Sequence, residues 1–94
     1  MLIIEKLHMK DKMSGGEESI ADFILTLGKS LAKYSTRNIA EATYTSLATV
    51  VRLCKKLDFK GFEDFKEQFL KEIDYLDHQY GKIDVNFLLL RKII

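Results

Sequence analysis

At 94 residues the chain is long enough to bury one small core without metal or disulfide help, and too short to suggest an internal domain boundary. Its 47% hydrophobic and 31% charged residues exclude wholesale disorder, and the complete absence of proline, the commonest helix breaker, favours an all-helical chain. A single cysteine, Cys54, excludes a disulfide-stapled secreted scaffold, no run of roughly eighteen apolar residues offers a membrane span, and a net charge of +1 decides nothing until it is mapped along the chain.

Taken in order, Ile3, Ile4 and Leu7 stand at helical spacing and predict a short first helix within Leu2 to Lys10. The apolar start, Leu2 to Ile4, runs at once into Glu5, Lys6 and His8, too soon for a signal peptide, and a cytoplasmic location is expected. Asp11 to Gly16 reads as a loop, in which Ser14 and Glu17 make a capping box for the next run. Ile20, Phe23, Ile24, Leu27 and Leu31 then predict an amphipathic helix that Gly28 ends or bends, with Lys29 to Tyr34 as a separate single turn.

From Ser35 to Phe62 the chain reads as two short helices joined tightly. Ser35 caps the first, which places Ile39, Ala40 and Thr43 on one face, and Ser46 caps the second, whose buried stripe is Val50, Leu53, Cys54 and Leu57. With only Thr43, Tyr44 and Thr45 between them, the two must cross steeply, and the small Ala40 lets their backbones approach. That is the helix-turn-helix arrangement, whose second helix can enter a DNA major groove. Asp58 then takes the place of a C-cap glycine, Phe59 folds back on the core, and Gly61 opens a long helix burying Phe62, Phe65, Phe69, Ile73 and Leu76. Gly81 is expected to break it. The chain is thus expected to be an all-α bundle of about five helices, with residues 1–80 as the helix-turn-helix domain and residues 81–94 as an apolar tail or connector.

The charge map is uneven. Ser46 to Lys60 sums to +3, whereas Glu63 to Asp77 sums to −4, so a basic candidate DNA face lies beside an acidic helix read as a solvent face.

The run Ala40-Glu41-Ala42, Ser46, Ala48-Thr49-Val50-Val51-Arg52, Cys54-Lys55-Lys56-Leu57 and Phe59-Lys60-Gly61-Phe62 resembles the N-terminal domain of RpiR-type bacterial transcription regulators. More loosely, the likeness extends through Ser19 to Ile24 upstream and Phe65-Lys66 downstream. Tyr44 stands where the family usually has glycine, Thr45 where an apolar residue is usual, and Leu47 where a polar or acidic one is. A side chain in a left-handed turn costs ~1–2 kcal/mol, so a locally rebuilt turn is expected. The resemblance implies a DNA-binding regulator of carbohydrate metabolism. It also implies that the phosphosugar effector binds a larger, sugar-isomerase-like C-terminal domain, which these residues do not include.

Thr49, Arg52 and Lys56 are read as the face opposite Val50, Leu53 and Leu57. Ser46, Leu47 and Thr49 would meet base edges, Arg37, Lys55, Lys56 and Lys60 would meet phosphates, and Arg52 could do either. The bland alternative for these basic residues is a solvated helix face, and the alternative function is a helical protein-interaction module whose tail and acidic last helix contact a partner, with the helix-turn-helix kept only as scaffold. A homodimer held by the tail or the first helix is expected, because one helix-turn-helix reads few base pairs and exposed leucines such as Leu88 offer apolar surface. His8 and His78 are far apart and the phenylalanines fall at core spacing. No phosphate loop or nucleophile constellation is present, so neither cofactor, metal nor enzymatic activity is expected.

Overall fold

Three of the helix starts follow from one piece of chemistry, a serine hydroxyl just ahead of an apolar period. A computed structural model describes residues 1–80. Five α-helices, α1 (Ile3–His8), α2 (Gly15–Leu27), α3 (Thr36–Ala42), α4 (Leu47–Lys56) and α5 (Phe62–Tyr80), follow in order, with a 3-10 segment, Gly28–Lys33, between α2 and α3. Among the described residues there is no strand. Ser14, Ser35 and Ser46 Oγ accept from the backbone N–H of Glu17 at 3.3 Å, Asn38 at 3.1 Å and Thr49 at 3.1 Å. Glu17 and Asn38 return the bond to the cap N–H, at 2.9 and 3.1 Å, so α2 and α3 each open on a full capping box.

α1 has no hydroxyl to cap it and borrows one carboxylate from far along the chain. Glu72 of α5 accepts from the N–H groups of Ile3 at 2.7 Å and Ile4 at 3.0 Å, placing an anion on the positive end of the short helix. The acidic side of α5 is therefore not wholly a solvent face, as its spacing suggested.

Two helices end in the same way. In α3 the N–H of Thr45 reaches the carbonyl of Ala40 at 2.9 Å and that of Tyr44 reaches Glu41 at 3.3 Å; in α4 Phe59 reaches Cys54 and Asp58 reaches Lys55, both at 3.0 Å. Both are Schellman caps, and each needs a left-handed residue just past the helix. Those residues are Tyr44 at φ 56° and Asp58 at φ 73°, not glycine. The expected rebuilding of the α3–α4 turn does not occur. Two backbone bonds, with Thr43 Oγ1 against Ile39 O at 2.8 Å and against Thr45 Oγ1 at 2.9 Å, hold the turn against its local strain.

α4 packs on α2, α3 and α5, and α5 closes over α1 and the 3-10 segment. Ile20, Ile39, Val50, Leu53 and Phe65 are wholly buried in one core. Phe65 stacks on Phe69 at 5.5 Å, each burial contributing ~1.5–3 kcal/mol. Phe23, expected inside, packs half-buried at the margin with its ring edge-on to Tyr34 at 5.6 Å. The proposed break at Gly81 and the tail through Ile94 lie outside the described residues.

Candidate nucleic-acid interface

α4 is held on three sides, so its free side is set by the angle at which its stripe docks. Val50, Leu53, Cys54 and Leu57 are buried. At about 100° per residue, the line diametrically opposite them runs through Ala48, Arg52 and Lys55, spaced four and three positions apart. All three are exposed, and with Val51 and Lys56 they line a shallow groove along the helix. This line is turned by less than one residue's rotation from the face that Thr49, Arg52 and Lys56 define. Thr49 and Lys56 lie toward α2, not at the outermost line, and Ala48 and Val51 were missed. Their signal was present as the spacing of Ala48 with Arg52 and Lys55, hidden because alanine and valine carry no charge.

Ser46 and Leu47 stand exposed at the start of α4, Leu47 with 46% of its surface open. Thr49 is half-buried, its Oγ1 2.9 Å from Ser46 Oγ. The start of α2 runs close by: a Cβ on Gly16 would lie 3.4 Å from the Thr45 methyl and 3.5 Å from that of Thr49, at ordinary van der Waals contact. Arg37 projects from the first turn of α3, and Lys60 lies in the link to α5. Arg37, Arg52, Lys55 and Lys60 form no ion pair with any described residue, which leaves four exposed cations available to an outside anion.

Lys56 differs. Its ammonium donates to Glu17 Oε1 at 2.7 Å and to the Lys12 carbonyl at 2.9 Å, and Glu17 has no exposed surface. Burial works to raise the Glu17 pKa, yet the Lys56 ammonium, the Ser14 N–H and the nearby charge of Arg52 together hold it below its ordinary value. The end of the exposed helix is thereby tied to the first turn of α2. Cys54 faces the core, and burial pushes its thiol up to about 12, so it stays protonated and unreactive at neutral pH. Among the described residues no cluster of His, Cys, Asp and Glu could hold a metal ion, and no helix is long and apolar enough to cross a membrane.

A family model described as "Helix-turn-helix domain, rpiR family" matches residues 1–75. The chain is 38% identical over 58 residues to the HTH-type transcriptional regulator YbbH of Bacillus subtilis, covering 62% of this chain and 20% of that protein. It is 34% identical over 67 residues to an HTH-type transcriptional regulator of Haemophilus influenzae, covering 71% and 23%. A third such regulator, from Clostridium perfringens, is 35% identical over 74 residues, covering 78% and 26%. The chain thus spans about a fifth to a quarter of the length of these relatives. No solved structure matches it.

Proposed function

Because the chain belongs to the rpiR family of helix-turn-helix domains, we propose that α4 enters the major groove of double-stranded DNA and that these residues form the DNA-binding part of a transcription regulator. The observation that carries this reading is the outward strip of α4, on which Arg52 and Lys55 stand exposed and form no ion pair with a described residue. A helix capped at its leading end and held on three sides presents that strip rigidly, as groove readout requires. Ser46, Leu47 and Ala48 meet base edges at the leading turn, with Thr49 at the margin. Arg52 lies at the centre of the face, and Arg37, Lys55 and Lys60 meet phosphates. Lys56 contributes by tying α4 to Glu17 and only secondarily by its charge.

The family resemblance supports control of carbohydrate metabolism, with a phosphosugar effector bound elsewhere in a full-length regulator. Two copies would engage two half-sites about one helical turn apart. α1 offers little to such a dimer, since Ile3, Ile4 and Leu7 already face the chain's own core.

Arg52→Ala tests the reading. It should leave thermal stability nearly unchanged, because the side chain is exposed, and weaken binding to duplex DNA. Loss of a phosphate contact lowers the salt slope by about one unit for every sequence, whereas loss of a base contact costs ~1–3 kcal/mol at one position. If the wild-type chain shows no salt-dependent affinity for duplex DNA, the reading fails in favour of a protein-interaction module.

A further inference from the structure

The turn between α3 and α4 requires one residue at positive φ, a position where glycine is unstrained and any residue with a Cβ is not. Tyr44 fills it at φ 56°, with 97% of its surface open to solvent. Its ring meets no other aromatic, and its hydroxyl has no hydrogen-bond partner among the described residues. Asp58, at the equivalent position after α4, is easier to explain, since aspartate tolerates this conformation and its carboxylate lies 3.8 Å from Lys6 Nζ. Tyr44 therefore strains the backbone, and its side chain forms no hydrogen bond or ring contact with a described residue in return. It stands two residues ahead of Ser46, the cap of α4, and three ahead of the half-open Leu47, at the leading edge of the DNA face.

We propose that Tyr44 binds the DNA backbone, its phenol donating a hydrogen bond to a phosphate at the edge of the groove that α4 occupies; this rests on the DNA reading above. A phenol O–H can donate, and tyrosine is among the side chains that fix a protein's register on phosphates. The donor carries no charge. The contact adds affinity for every sequence without releasing a counterion, unlike an arginine or lysine contact. It also orients the leading turn of α4, where the base-reading side chains stand.

Fluorescence anisotropy with a labelled mixed-sequence duplex, over a series of salt concentrations, tests this on the 94-residue chain alongside thermal unfolding. Tyr44→Phe, which keeps the ring and the strained backbone, should bind more weakly by roughly tenfold or more, the loss of one hydrogen bond to a charged acceptor. Its salt slope and melting temperature should not change. Tyr44→Gly should lose at least as much affinity while its melting temperature rises, so that stability and binding move in opposite directions. If Tyr44→Phe binds like wild type while Arg52→Ala is weakened, the inference is wrong and the DNA reading stands. If the melting temperature of Tyr44→Phe falls with its affinity, the hydroxyl serves the fold and the inference is again wrong. A wild-type chain that does not bind the duplex overturns both.

Discussion

Glu17 joins the first turn of α2 to the last turn of α4, and its ionisation sets part of the stability of the exposed helix. One oxygen, Oε1, closes the Ser14 capping box and also takes the Lys56 ammonium, while Oε2 is buried without a hydrogen-bond partner among the described residues. The carboxyl pKa is depressed in the folded chain, so its contribution is fully present above the ordinary value of 4.5 and is lost as pH falls through the lower folded value. The melting temperature should accordingly drop as pH is taken below about 4.5, and Glu17→Gln should flatten that drop. At neutral pH, Lys56→Met should be the more damaging change, because it leaves a buried carboxylate facing only backbone donors. Roughly 2–3 kcal/mol is expected in urea unfolding, less than the ~3–5 of a pair buried at both ends, since Lys56 itself is half open to water. Glu17→Gln should cost less than Lys56→Met; the reverse order would mean that the pair does not hold α4. The capping box was legible from Ser14 and Glu17 alone. Their tie to Lys56 was not, because nothing in a linear pattern relates two polar residues 39 positions apart.

Ser46 shows how a helix start can serve the fold and the interface at once. Its hydroxyl satisfies the Thr49 N–H, so Ser46→Ala should destabilise the chain by about 1 kcal/mol. Ser46→Asp should cap as well and hold stability within ~0.5 kcal/mol of wild type, yet weaken DNA binding by placing an anion at the leading turn of α4. Thermal unfolding and duplex affinity measured on both variants separate the two roles, and an aspartate variant that binds DNA normally would move Ser46 off the interface. Helix starts of this kind were readable because serine caps act within four residues, and helix interiors because apolar residues repeat with the turn. The ends were harder. Tyr44 and Asp58 gave no glycine signal, yet both helices close with Schellman bonds, since Leu57 and Phe59 on one side and the threonine pair on the other supply what the local conformation costs. The outer face of α4 was misjudged by less than one residue's rotation because Thr49 and Lys56 look like solvent residues in a list of letters, while α2 covers one and captures the other.

Across the whole chain the all-α class was the most legible property, following from unbroken helical periods and the lack of proline, whereas the Glu72 cap on α1 depends on two segments meeting only after folding. The same view of the whole bears on control by small molecules. Allosteric coupling needs a second site whose ligand distinguishes two states of the first. A phosphosugar site needs convergent donors, such as open amides at a helix start with a hydroxyl beside them. In this domain the hydroxyls at helix starts, Ser14, Ser35 and Ser46, belong to three different helices, and each is already occupied by its own helix's N–H. The four exposed cations that form no ion pair with a described residue would be covered by DNA in the proposed complex, so a sugar phosphate drawn to them would compete with DNA without acting from a distance. We therefore expect the DNA affinity of the 94-residue chain to be unchanged when a panel of phosphosugars is titrated at constant ionic strength. Weak inhibition by every phosphate compound alike, inorganic phosphate included, would be competition for the same cations. A reproducible tenfold shift with one sugar phosphate and not with inorganic phosphate, equivalent to ~1.4 kcal/mol of coupling, would place the effector site within these residues and overturn the assignment of sensing to another part of a full-length regulator.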